Sequence, residues 1–453
     1  MTEPALDLRS VPAGGAATEA LFTPAAFVAQ MVAFERALLH ACVDAGVVPA
    51  GAAARIEAAI GDGSWIDADD VLHRAATTGT PVIPLLAALR GRLQPEDGAL
   101  LHLGATSQDV VDTAVMLQVA RGLATLEADL RRLAAAAAAH ASAHRRTPMV
   151  GRTLMRHAVP ISFGLRAARW LGSATRGVHR LRTLAGGLAL QLGGAAGTSQ
   201  PLGAAAPAVE AALGRRLGLQ VPDLPWHAER DRMADVVTGV GVVAAGGGKI
   251  ARDLLLLSTE EVGEVGFGGG GGSSAMPHKQ NPVDAIYAST AARLCAGAVS
   301  SFMHAMDHEH ERAAGGWQAE GVLVADAFRG AGGVLHRVAV AVEGLAVRPE
   351  RMAANLASGG GMAMSEALAT ALGERLGGAT ARSLTSELVR TAVADGVSLE
   401  HAARQDARVS AALGEDMGAV FDPAEQLGSA ERFIDRALAA YGALPAPGAQ
   451  EGS

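Results

Sequence analysis

The feature that most constrains this chain is the length of its proline-free, alanine- and leucine-rich segments. In Leu117–His144, the residues Leu117, Leu123, Leu126, Leu130 and Leu133 recur at helical spacing, with Arg121, Glu127, Asp129, Arg131 and Arg132 between them. Pro282–Met306 and Ala325–Leu345 read the same way. Ala228–Glu261 does too, with an interruption expected at Gly246–Gly248. A helix of about 25–30 residues spans roughly 40 Å, more than a small globule uses. Such helices pack as elongated bundles, within one chain or between subunits. Alanine faces permit the close approach that suits subunit packing, and a monomeric alanine-rich bundle fits the same pattern. No run of alternating Val, Ile and Thr flanked by hairpin turns stands out, which argues against a large sheet. The expected class is all-α.

Composition narrows the function classes. The 453 residues are 49% hydrophobic and 19% charged, a globular balance rather than a disordered one. With 38 Lys and Arg against 46 Asp and Glu, the net charge is −8. That leaves no basic excess for general nucleic-acid binding, so an anionic substrate needs a local cationic pocket. Two cysteines, Cys42 and Cys295, exclude a disulfide scaffold and suggest a reducing compartment. Met1–Ser10 carries Glu3, Asp7 and Arg9 and does not read as a signal peptide. The uncharged stretch Thr183–Val209 contains Gln191, Gln200, Pro201 and Pro207 and reads poorly as a membrane span. These readings point to a cytoplasmic protein with neither nucleic acid nor membrane as partner. Loop-like stretches at His102–Asp109, Gly193–Gly203 and Gly266–Pro282 interrupt the helices, with breaks near Gly104–Asp112 and at Arg348-Pro349-Glu350. They suggest three parts: 1–110, a central 111–346 with the long helices, and 347–453.

The segment richest in chemistry is Gly268–Pro282, GGGGGSSAMPHKQNP. Five consecutive glycines oppose a helix, at about 1 kcal/mol each relative to alanine. They also let backbone N–H groups approach an anion. Ser273, Ser274, His278, Lys279 and Asn281 then set nucleophile or acid/base candidates beside a cation and an amide. A flexible linker would not need Met276-Pro277-His278-Lys279 and Asn281-Pro282 in this order, and the P-loop spacing is absent.

SSAMPHKQNP closely resembles the signature loop of the fumarase/aspartase superfamily, GSS-x-MP-x-K-x-NP. HLGATSQD (His102–Asp109) resembles the superfamily's first shared region. Gly151-Arg152-Thr153 with His157-Ala158 and Pro160 resembles the second, and Gly193-Gly194-Ala195 with Gly197-Thr198 a further shared turn. The resemblance runs from about Phe22 to Leu444. Within the superfamily, His102–Ala114, Gly151–Gly164, Pro225–Arg232 (PWHAERDR) and His310–Glu320 (HERAAGGWQAE) look most like the branch of the 3-carboxy-cis,cis-muconate cycloisomerases, enzymes of aromatic acid breakdown.

The resemblance implies an all-α, three-part fold, a homotetramer whose sites are shared between subunits, and a small polycarboxylate substrate. It implies no cofactor: no metal, nucleotide or external nucleophile. Superfamily members move a proton at the carbon beside a carboxylate while a β-substituent leaves or adds, through an aci-carboxylate that needs donors where charge develops. The base matches Ser273, with Ser274 its neighbour and a swapped role open. Lys279, Asn281, Thr106 and Ser107 are the matching donors. Arg152, Arg232, Arg312 and His102 are candidates for the substrate carboxylates, with Thr198 in the shared turn and Ser274 beside them. The alternative within the fold is a β-elimination lyase releasing fumarate, of nitrosuccinate or adenylosuccinate type. A helical scaffold without activity is disfavoured by the intact Ser273, Lys279 and Asn281.

Three positions depart from parts of the superfamily. Fumarases and many adenylosuccinate lyases have a histidine directly after GRT and a carboxylate thirteen positions after the loop serine; Leu154 and Ile286 stand there. This reads as the loss of a buried charged pair. Gln280 replaces the arginine usual in the cycloisomerase loop, one cation fewer. His157, three residues past Leu154, would share its face on a helix and is a candidate acid; a helix histidine bonded to a backbone carbonyl fits equally. His227 in PWHAERDR is a candidate pocket residue. His304, His308 and His310 superficially suggest a metal. Without HExxH or a cysteine pair, His310 and Arg312 are read instead as lining an anionic pocket or a subunit contact.

Overall fold

A computed structural model describes residues 16–268, 271–272, 276 and 279–446. Ser273, Ser274 and His278 therefore lie outside the described residues. Helices dominate: α1 (Pro24–Asp44), α2 (Ser107–Ala143), α3 (Phe163–Gly186), α4 (Asp231–Leu257), α5 (Val283–His304), α6 (Gly316–Glu343), α7 (Pro349–Ser358), α8 (Ser365–Leu376), α9 (Gly378–Asp395) and α10 (Ala430–Gly442), with shorter ones between them. Strands β1 (Pro148–Thr153) and β2 (Arg156–Ser162) form an antiparallel hairpin, and β3 (Val265–Phe267) pairs antiparallel with β4 (Leu345–Val347).

The chain divides into two compact units. The first holds the residues up to Asp129, Gly177–Gly248 and Tyr287–Arg337. The second holds Leu130–Arg176, Lys249–Ile286 and the residues from Val338 onward.

In the first unit, α1 begins where Thr23 accepts the Ala26 N–H and Pro24 supplies a ready φ. Its length and hydropathy would allow a membrane span. Val28, Met31, Val32, Phe34, Leu38 and Leu39 on it are nonetheless buried within the fold. Helix α4 corrects one expectation: it runs through Gly246–Gly248 without interruption. A Cβ on Gly247 would stand 2.5 Å from Val334 Cγ1, and one on Gly248 2.7 Å from Ala292 Cβ. These glycines are sites of close helix contact, and packing there outweighs their poor propensity.

In the second unit, Trp170 donates its indole N–H to Asp253 Oδ2 at 2.8 Å, joining α3 to α4. Beyond β4, Leu368, Leu372, Leu384, Leu388, Leu399 and Leu413 bury against one another in a core of their own.

Candidate active site

In the first unit the site is organised by one carboxylate. Asp109, in the first turn of α2, is fully buried and accepts four hydrogen bonds. Oδ1 takes the Gly193 N–H (3.1 Å) and lies 2.7 Å from His227 Nε2. Oδ2 takes the N–H groups of Thr106 (2.9 Å) and Gly194 (3.0 Å). The bond to Thr106 is an N-terminal cap, favoured by the helix dipole. Thr106 and Ser107 are thereby fixed beside the Gly193–Gly194 turn, where Gly194 has φ of 68°.

Arg312 clamps the same turn from the other side. Its guanidinium donates to the Gly194 carbonyl (2.7 Å), the Ala195 carbonyl (2.8 Å) and Gln108 Oε1 (2.8 Å). Gln108 in turn donates to the His227 carbonyl at 2.8 Å. His102, in the left-handed region at φ 65°, places Nδ1 2.7 Å from Glu35 Oε1. Glu35 is fully buried, and among the described residues its Oε2 has no hydrogen-bond partner. Thr106, Ser107, His227, Arg312 and the turn leading to the exposed Thr198 thus form one assembly, with His102 on the same loop. His227 is buried behind this surface on Asp109 and acts as a support. Arg232 stands apart, in a groove with Arg180, Thr183 and Asp235.

The second unit holds Arg152, His157, Lys279 and Asn281. Arg152 makes a two-pronged pair with the fully buried Glu264 (2.9 and 2.8 Å), which also accepts from Asn355 Nδ2 at 2.8 Å. Its charge is already matched, so it is an anchor before it is a substrate ligand. His157 corrects the helical reading. It lies on β2, opposite Arg152 in the hairpin register, and is exposed. The turn at Leu154-Met155 has φ of 48° and 65°, and Leu154 is 97% exposed. Ile286 is 42% exposed. Within the chain, then, neither position is buried, contrary to the expectation of a buried apolar pair. Around the signature loop, Gly271 and Asn281 exchange backbone hydrogen bonds (3.3 and 3.0 Å), and Asn281 Nδ2 donates to the Gly271 carbonyl at 3.3 Å. Lys279 is exposed.

A buried charge cluster in the first unit escaped sequence reasoning. Arg230 bonds Asp112 (2.9 and 3.1 Å) and Glu320 (2.9 Å), and Trp317 donates to Asp112 at 3.0 Å. His308 Nε2 lies 3.2 Å from Glu320 Oε1. Burial alone would lower the Arg230 pKa, yet the two carboxylates hold it above its ordinary value. Burial raises the Glu320 pKa, against the pull of Arg230. The signal was the carboxylates of SQDVVD and WQAE, which needed a partner such as Arg230, the first of the two arginines of PWHAERDR. His304, by contrast, sets Nδ1 2.7 Å from the Ser300 carbonyl. Among the described residues no group of three His, Cys, Asp or Glu is arranged to hold a metal. Burial pushes the Cys42 thiol up to about 11 and Cys295 to about 12, which makes both poor nucleophiles.

Comparison with known proteins bears on the family and the fold. Residues 15–297 match the sequence profile of a lyase family. A 3-carboxy-cis,cis-muconate cycloisomerase of Pseudomonas aeruginosa is 41% identical, over 94% of each chain. A nitrosuccinate lyase of Streptomyces davaonensis is 39% identical, over 94% of this chain and 92% of its own. The crystal structure of a 3-carboxy-cis,cis-muconate lactonizing enzyme from Pseudomonas putida superposes with a TM-score of 0.90 at 38% identity, covering 96% of this chain and 99% of that one. With signature loop, helical fold and full-length relatives in agreement, the chain belongs to this lyase family and is an enzyme of the fumarase/aspartase superfamily.

Proposed function

We propose that the protein is a 3-carboxy-cis,cis-muconate cycloisomerase, closing its substrate to 4-carboxymuconolactone. The observation that carries the reading is near-full-length identity of 41% to an enzyme of that name, on a chain with Leu154 and Ile286 where other superfamily lyases hold an acid and its carboxylate. A substrate carboxylate oxygen adds to the alkene. The C–O bond forms as the π bond breaks, and the electron pair passes into the neighbouring carboxylate as an aci-carboxylate. The Ser273 hydroxyl delivers the proton to the carbon beside that carboxylate and is reprotonated from solvent. Nucleophile and alkene share one molecule, so effective molarity supplies part of the acceleration. Lys279, Asn281, Thr106 and Ser107 stabilise the developing charge.

In the reverse direction the leaving group is a carboxylate, a stable anion that needs no protonation, so the acid is dispensable. The nitrite expelled from nitrosuccinate is also a stable anion. The relative of that name therefore sustains a second reading, fumarate release by β-elimination. Malate and adenylosuccinate, with poorer leaving groups, fit less well.

The reading includes a cytoplasmic homotetramer with shared sites and the three-part division at 110/111 and 346/347. Two adjacent apolar residues on a strained turn, Leu154 and Met155, 97% and 75% exposed, support burial by another subunit. Sedimentation at micromolar protein tests the assembly, and an active monomer contradicts it. Ser273→Ala should lower turnover by about 10²–10⁴-fold with folding intact. A mild effect there with a severe one for Ser274→Ala would exchange the two roles. Lys279→Ala should also be severe.

A further inference from the structure

A groove of about 480 Å³ opens in the second unit, between α3 and α10. Arg169, Gly172 and Arg176 line it from α3, and Phe433, Arg436 and Ala440 from α10. Arg169 and Arg176 are seven residues apart and share a helix face. Gly172 lies between them on that face. A Cβ there would stand 3.2 Å from Arg176 Nη1, so this guanidinium folds back over the glycine, toward Arg169.

None of Arg169, Arg176 and Arg436 has a hydrogen bond or ion pair among the described residues, and no carboxylate lines the groove. The acidic residues of α10 are engaged elsewhere, Asp435 by Arg145 and Glu431 by Arg146. Three unmatched cations in one groove are unexpected in a chain of net charge −8. They repel one another until an anion joins them. Apart from Thr175, whose hydroxyl donates to the Leu171 carbonyl, the rest of the lining is apolar, including the ring of Phe433, 44% exposed.

We propose that this groove binds a small organic polycarboxylate, its carboxylates on the three arginines and its carbon skeleton against the alanines and Phe433. Planar guanidinium forks match carboxylates two atoms at a time. Inorganic phosphate would use the cations but leave the apolar lining uncovered, so it binds more weakly. The groove shares no residue with the candidate active site, and the proposal stands whichever carboxylate the enzyme turns over.

The test is equilibrium dialysis of the intact protein with labelled tricarballylate at fixed ionic strength, for wild type, Arg169→Gln and Arg436→Gln. All three arginines are exposed, and circular dichroism checks that the variants fold. One class of binding site should weaken about tenfold for each arginine lost, the effect of one charge-assisted contact. Turnover should be unchanged, and so should the inhibition constant of any tricarballylate competing at the catalytic site. Binding unaltered in both variants overturns the site. Equal affinity for inorganic phosphate overturns its assignment to polycarboxylates.

Discussion

Replacing Asp109 by asparagine exchanges one carboxylate oxygen for an amide nitrogen at a position where every neighbour is a donor. If the nitrogen takes the Oδ2 place, it meets the N–H groups of Thr106 and Gly194, and both lose their acceptor. In the Oδ1 place it meets the Gly193 N–H and His227 Nε2. There the imidazole can shift its proton to Nδ1 and accept, so only Gly193 is orphaned. The second orientation wins. Its cost is one buried N–H without a partner, about 1–3 kcal/mol, plus the weakening of three bonds that lose their charge. A total of roughly 2–4 kcal/mol is a large part of the usual 5–15 kcal/mol margin. Because the bonds hold Thr106 and Ser107 against the turn, kcat/KM should fall along with the thermal midpoint. Asp109→Ala, which orphans all four donors, should be worse. Differential scanning calorimetry with steady-state kinetics on both variants measures this. An Asp109→Asn protein within 0.5 kcal/mol of wild type and fully active would refute the assignment of Asp109 as organiser.

Gly247→Ala gains about 1 kcal/mol of helix propensity but sets a methyl 2.5 Å from Val334 Cγ1. Overpacking of about 1–3 kcal/mol wins, so the thermal midpoint should fall, and a rise would contradict the close packing of α4 on α6. Burial, aided by the charge of His140, holds the His144 pKa below its ordinary value. The stability it contributes is present above the unfolded pKa, about 6.5, and is lost as pH falls through the depressed folded value. Stability should therefore decline below about pH 6.5, and His144→Gln should flatten that decline; an unchanged slope counts against it. Ile286→Glu should leave helicity intact and cost under about 0.5 kcal/mol in the isolated chain, because Ile286 is 42% exposed. Collapse of the far-UV dichroism would restore a buried setting.

The long helices were legible because alanine and leucine periodicity is a local property. Their ends were less so. Helix α2 starts at Ser107, ten residues before the periodic leucines, because Asp109 caps it from within its own first turn. Gly246–Gly248 was misread for the opposite reason: Val334 and Ala292, distant in sequence, decide what those glycines do. The hairpin at Leu154-Met155 carries none of the glycine or asparagine that such turns favour, so His157 seemed helical. Thr106, Ser107, Lys279 and Asn281 are candidates because the segments that carry them resemble the superfamily's motifs, and such a resemblance is read from short contiguous stretches. Asp109 and the pair Arg152–Glu264 could not be assigned, since the partners lie far off in sequence: Gly193 and His227 are 84 and 118 residues from Asp109, and Arg152 is 112 from Glu264.

The central claim is that this site adds a carboxylate across a double bond within one molecule. Purified protein should be mixed with 3-carboxy-cis,cis-muconate and, in parallel, with nitrosuccinate, malate and adenylosuccinate, following loss of the conjugated diene and release of fumarate. The account predicts rapid lactone formation, little fumarate from malate or adenylosuccinate, and loss of turnover in Ser273→Ala. Efficient fumarate release with no lactone would contradict it.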